Sequence, residues 1–184
     1  MVIQSRRSLV DDLDAFDRLL EVGIGNRPDV AAALERRGRT VVAIDVSPPE
    51  TPGAGASDVS SGASDVSSGA SDVDVRRIDV GVLAVADDPL AALAAAPPLA
   101  GDDGADEKQG TGRPTPSGFD AVYARNLPAE LQRPTVDLAD RFGVTCRFTT
   151  LGFEEPVVPV TRRTLPGTTL FVARAPNGPT TETG

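Results

Sequence analysis

The sequence has no histidine and no tryptophan, one cysteine, one tyrosine and a single lysine, Lys108. Each scarcity excludes something. Without histidine, and with only Cys146, the chain has no plausible zinc site built from its own residues and cannot form an intrachain disulfide. Cys146 lies in the strand-like run "GVTCRFTT" and reads as a packing position rather than a nucleophile. Arginine supplies almost all the positive charge: 18 basic residues stand against 27 acidic ones, a net charge of −9 over 184 residues. This balance argues against a broad phosphate-neutralising surface, so direct nucleic-acid binding is not expected. It suits a protein that must stay hydrated in molar salt, where the Debye length falls to about 3 Å and self-repulsion is screened. An acidic surface for a partner is the alternative. The pairs Arg6 and Arg7, Arg36 and Arg37, and Arg162 and Arg163 read as solvated surface.

Long hydrophobic runs are also missing. No stretch approaches the roughly 20 apolar residues of a membrane span, and "MVIQSRRSLVDDLDAF" carries acids where a secretory signal would be apolar. A cytoplasmic protein without a membrane partner is the expectation; the oligomeric state is not legible.

Three tandem units, "GASDVSS", "GASDVSS" and "GASDVD", fill Gly55 to Asp74. Each offers only alanine and valine as apolar residues, too little burial to offset the entropy of ordering, so the heptad spacing is not a coiled-coil signal. The insertion is expected at about 51–74, and a second, rich in Gly, Pro and Asp, at about 97–118. Both read as flexible acidic loops, and residues 176–184 as a disordered tail. Residues 1–175 are otherwise of a length for one domain.

Around these insertions, short apolar runs alternate with helical patterns. "SLVDDLDAF" predicts a helix, "RLLEVGI" a strand, "PDVAAALERRG" a helix opening on Pro28 and stopping at Gly38, and "TVVAIDV" a strand covered on both faces. A weaker strand is expected in "RRIDVGVLAVAD", then a helix in "DPLAALAAA" and a strand in "FDAVYAR". A helix in "AELQRPTVDLADRFG", disturbed by Pro134, precedes strands in "VTCRFTTLG" and "TTLFVARA". Strand–helix alternation implies an α/β fold: a doubly wound, mainly parallel, Rossmann-like sheet with helices on both faces. The last strand follows another without a helix between, which predicts an antiparallel edge.

The turn "EVGIGNRP" places Gly23 and Gly25 as in the first two glycines of a dinucleotide fingerprint, where they permit a tight turn and close approach of a ligand. The third glycine is absent; Arg27 and Pro28 occupy that region, and Pro28 has no amide hydrogen for a pyrophosphate. A nucleoside ligand without phosphate, such as S-adenosylmethionine, fits better. Glu21 ends the first strand where it could meet an ammonium group. Asp45 closes the second, where a carboxylate can accept both ribose hydroxyl hydrogens. Asp88, after the apolar run "VGVLAVA", is a candidate for the adenine edge. Each alone has a structural reading: a packing corner for the glycines, a loop cap for Asp45.

This ordered set resembles class I S-adenosylmethionine-dependent methyltransferases. More narrowly, "EVGIGNRPDVAAALERRGRTVVAIDV", "FDAVYARNLPAELQRPTVDLA" and "TTLGFEEP" resemble an archaeal uncharacterised protein family, number 0146. The resemblance implies Glu21, Gly23, Gly25 and Asp45 as cofactor contacts.

Beyond the cofactor the motifs thin out. In "YARNLPAEL", Asn126 and Pro128 partly resemble an Asn-Pro-Pro-aromatic motif that holds a planar nitrogen, but Leu127 replaces the first proline and no aromatic residue follows. Asn126 is thus either a substrate-polarising amide or a turn residue, and Tyr123 either stacks on a base or completes its strand. "FEEPVVPVTRR" lies where a lid would form, with Glu154 and Glu155 read as solvated. Three functions remain open: a small methyltransferase, a non-catalytic cofactor-binding sensor or partner subunit, and an NAD-dependent or sugar-nucleotide oxidoreductase. The missing glycine and the absence of a catalytic Tyr and Lys pair count against the last.

Overall fold

A computed structural model describes residues 2–25, 27–46, 73–98, 118–152 and 154–173. The tail and nearly all of both acidic insertions lie outside these. Helix α1 (Val2–Leu13) leads into strand β1 (Arg18–Val22), α2 (Asp29–Arg36) and β2 (Thr40–Asp45). After the first insertion come β3 (Asp74–Arg77), α3 (Val80–Val85) and α4 (Pro89–Ala95). After the second come β4 (Ala121–Ala124), α5 (Ala129–Phe142), β5 (Thr145–Phe148), β6 (Thr161–Leu165) and β7 (Thr168–Ala173).

The strands form one sheet of order β3-β2-β1-β4-β5-β7-β6. The first five are parallel; β7 runs antiparallel to both β5 and β6. The fold is Rossmann-like: strand order reverses between β1 and β4, and in such sheets ligands bind outside the carboxyl ends of the strands at that reversal.

Residues alternate between faces along each strand. Leu20, Val22, Val42, Ile44, Val122 and Phe148 pack with α3, α4 and α5 through Leu83, Leu93 and Leu138. On the other face Leu19, Val41 and Tyr123 pack with α1 and α2 through Leu13, Val30 and Leu34. Helices therefore cover both faces, which is why the central strands read as continuous apolar runs. Cys146 is buried on the α5 side.

Four expectations are corrected. The run after β3 is a helix, not a strand: Asp79 accepts hydrogen bonds from Gly81 N (2.7 Å) and Val82 N (3.2 Å), capping α3. Burial then follows helical spacing, with Val80, Leu83 and Ala84 inside while Val82 and Val85 are 60% and 79% exposed. Helix α5 runs unbroken through Pro134. That proline falls near the helix start, and the carbonyl it deprives, on exposed Glu130, can turn to water. The antiparallel edge is β6, with β7 inside the sheet; a hairpin through Pro166 and Gly167 (φ +81°) joins them. Strand β6, "TRRTL", is exposed along most of its length and carries no apolar alternation by which to find it. Finally, α1 begins well before Ser8.

Candidate functional site

The β1 ladder continues into the turn, where Gly23 N donates to Ile44 O at 2.9 Å. Ile24 then drops into the core beside α2, pinning the turn from beneath. Gly23 (φ +71°) and Gly25 (φ +51°) hold left-handed backbone that other residues seldom adopt, and a Cβ at either would meet nothing within 4 Å. The main chain is therefore bare on its open side. Asp45, ending β2, accepts a hydrogen bond from Gly25 N through Oδ2 at 2.8 Å.

Across the strand reversal, the end of β4 is clamped to the end of β5. Thr149 N donates to Ala124 O (3.1 Å), and Thr149 O accepts from Leu127 N (2.7 Å). Thr149 Oγ1 accepts from Asn126 N at 2.9 Å. Asn126 sits at φ +51°, a left-handed position that asparagine tolerates better than most residues. Leu127, in place of a proline, is buried and anchors the turn in the core. Between the two turns lies a cavity of about 320 Å³ lined by Gly23, Ile24, Gly25, Arg27, Arg125, Asn126 and Leu151. That volume falls at the small end for ligand sites.

The expected residues therefore divide. Gly23, Gly25 and Asn126 line the cavity, and Asp45 is tied to its rim through Gly25. Glu21 is behind it: only 1% exposed, it faces the α1–α2 core and accepts a 2.7 Å hydrogen bond from Tyr123 Oη. Burial pushes the Glu21 carboxyl up to about 7 against the opposing pull of the Tyr123 hydrogen bond and the Arg125 charge. The same burial, with Glu21 beside it, raises Tyr123 well above its ordinary value. Tyr123 thus completes its strand and partners Glu21. The premise for Asp88 is corrected: it follows α3 rather than a strand and caps α4, accepting from Leu90 N and Ala91 N at 3.0 Å each. The acid that does follow β3, Asp79, is engaged in capping α3.

Sequence reasoning missed Arg125. Its Nη1 donates to Asp29 Oδ1 at 2.7 Å, and Asp29 Oδ2 lies 3.6 Å from Arg6 Nη1. The available signal was position: Arg125 directly follows a central strand at the reversal, one residue before Asn126. The surface pairs meet acids instead, with Arg37 on Asp11, Arg162 on Glu155 and Arg163 on Asp12. Glu155 is exposed, and Glu154 likewise. Among the described residues, no helix is long and apolar enough to cross a membrane.

Comparison with known proteins places the chain in a family. The model of an uncharacterised protein family, UPF0146, matches residues 7–103. Over 166 residues the chain is 37% identical to the UPF0146 protein of the halophilic archaeon Halobacterium salinarum strain R1, spanning 88% of this chain and 91% of that one. The protein of strain NRC-1 matches with the same figures. Among solved structures, the chain is similar to magnesium protoporphyrin IX methyltransferase from Synechocystis PCC 6803, determined with bound SAM. The TM-score is 0.44 at 9% identity, over 92% of this chain and 78% of that one. It is also similar to monomeric WbdD, with a TM-score of 0.42 at 11% identity, over 95% of this chain and 40% of that one. The sequence relationship is the decisive one: the chain belongs to the uncharacterised protein family UPF0146.

Proposed function

We propose that the chain binds S-adenosylmethionine at the Gly23–Gly25 corner and acts as a small methyltransferase. The observation that carries this reading is the 2.8 Å bond from Gly25 N to Asp45, which joins the bare glycine turn to the acid ending β2 at the strand reversal. The residues present suit a nucleoside. Main chain at Gly23 and Gly25 is open to close approach. A carboxylate has about four acceptor positions, so the Gly25 amide does not saturate Asp45 for ribose hydroxyls. A pyrophosphate is poorly served, because Pro28 sits at the N-cap of α2 and offers no amide hydrogen; this counts against the nicotinamide and sugar-nucleotide readings.

The bound cofactor would supply an electrophilic methyl group on a sulfonium. What this chain adds is placement. Asn126 presents a side-chain amide at the cavity, able to accept from or donate to a planar acceptor group, and holding the acceptor in line can supply most of the acceleration. Glu21 is taken up by its hydrogen bond with Tyr123 in the core rather than by a ligand contact. A non-catalytic sensor or partner subunit is the second reading, favoured by a specific observation: among the described residues no acid, lysine or tyrosine lines the cavity to serve as a base. The acid excess, with relatives in a halophilic archaeon, supports a cytoplasmic protein working at molar salt.

Calorimetric titration in molar potassium chloride with S-adenosylmethionine, S-adenosylhomocysteine and NAD tests the proposal. Binding of the first two alone is expected; binding of NAD alone, or of none, overturns it. Transfer of a labelled methyl group to archaeal RNA, protein or metabolite fractions then separates enzyme from sensor.

A further inference from the structure

The cavity wall is cationic although the chain as a whole is strongly acidic. Among the described residues, two of the seven that line it are arginines, and none is an acid. Among the described residues the guanidinium of Arg27 has no hydrogen-bond or ion-pair partner, in contrast with Arg37, Arg39, Arg147 and Arg163, each of which meets an aspartate. Arg125 is more constrained. Its side chain is 15% exposed, and Nη1 is fixed by Asp29 at 2.7 Å. That contact uses one donor of five, leaving the other edge of the planar fork for a second acceptor. Asp29 is itself shared with Arg6 and cannot neutralise both. Glu21, which also feels the Arg125 charge, is held largely in its neutral form by burial at mildly acidic pH.

We infer that Arg27 and Arg125 form an anion subsite within the cavity, taking a carboxylate or phosphate group of whatever molecule lies there. This rests on the cavity being the ligand site proposed for the cofactor. The anionic group has two possible sources: the amino-acid carboxylate of S-adenosylmethionine itself, or a carboxylate or phosphate on the acceptor. The chemistry of recognition is shared. Asp29 holds Arg125 in orientation from one side, the anion bridges it to Arg27 on the other, and the paired guanidinium contacts are charge-assisted and geometrically selective. Salt sharpens the distinction between a built site and loose attraction. With a Debye length of about 3 Å at 1 M, only direct hydrogen-bonded contact survives.

The test is calorimetric titration of inorganic phosphate and of acetate into the full chain in molar potassium chloride, for wild type, Arg27→Gln, Arg125→Lys and Arg36→Gln. Saturable binding of one anion per chain is expected, weakened at least about tenfold by Arg27→Gln and by Arg125→Lys, with Arg36→Gln unchanged. Arg125→Lys keeps the charge beside Asp29 and so preserves the fold while removing the fork. Absence of saturable binding by either anion, or an Arg27→Gln protein that binds like wild type, overturns the inference. Repeating the titration with S-adenosylhomocysteine bound identifies the source. Displacement of the anion assigns the subsite to the cofactor carboxylate; retention assigns it to the acceptor. Anion binding without any binding of S-adenosylhomocysteine would sink the cofactor proposal and leave the anion subsite standing.

Discussion

Asp45 and Gly25 are 20 residues apart in sequence, yet the carboxylate of one accepts the amide hydrogen of the other at 2.8 Å. The bond ties the end of β2 to the turn after β1, and with it the position of an acid to the position of a bare main chain. Asp45→Ala should lower S-adenosylhomocysteine affinity at least about tenfold in calorimetry, because hydrogen bonds to a charged group contribute about 1.5–3 kcal/mol. Asp45→Asn, which keeps an acceptor for the Gly25 amide, should lose less. Equal affinity in wild type and Asp45→Ala would remove the ribose-binding role.

Buried Glu21 should leave a signature in the pH dependence of stability. Its carboxyl titrates near 7 in the folded protein against 4.5 as the reference value, so the fold binds the proton more tightly than the unfolded chain. The contribution of the protonated form is fully present below 4.5 and is lost as pH rises through 7, a fall of about 3 kcal/mol. Urea unfolding of wild type between these limits should show that decline, and Glu21→Gln should flatten it. An identical slope in both proteins would mean that Glu21 is solvated or otherwise paired.

Gly143 ends α5 at φ +69°, its amide reaching back to Ala139 O and Asp140 O. A Cβ there would meet nothing within 4 Å, so Gly143→Ala isolates the backbone cost. A destabilisation of about 1–2 kcal/mol is expected from the left-handed conformation alone. No measurable change would mean that the helix ends differently in solution.

Burial pushes the Cys146 thiol up to about 12, so almost no thiolate exists at neutral pH. Alkylation by iodoacetamide should be slow in the native protein and accelerate sharply once denaturant unfolds it. Rapid labelling under native conditions would contradict the packing of β5 against α5.

The parts of this molecule legible in the sequence are those where one local pattern has one structural meaning. The glycine turn and the continuous apolar run of β2 are such cases, since a covered parallel strand has little other way to read. "VGVLAVAD" was not, because an unbroken apolar run suits a buried strand as well as a short helix, and the capping by Asp79 decides between them only in three dimensions. Strand β6 was invisible for the opposite reason: "TRRTL" faces solvent and is held by the neighbouring β7 rather than by its own composition. The place of Asp45 beside the glycine turn was legible from its position at the end of a strand. Arg125 was not, because its significance comes from β4 lying beside β1, a long-range pairing that no local pattern encodes.

The most direct test of the cofactor site is a crystal structure with S-adenosylhomocysteine bound. The predicted result is density in the cavity at the β1–β4 reversal, with the ribose hydroxyls on the Asp45 carboxylate and the amino-acid part over Gly23. Density elsewhere on the protein, or a ribose that makes no contact with Asp45, would contradict it.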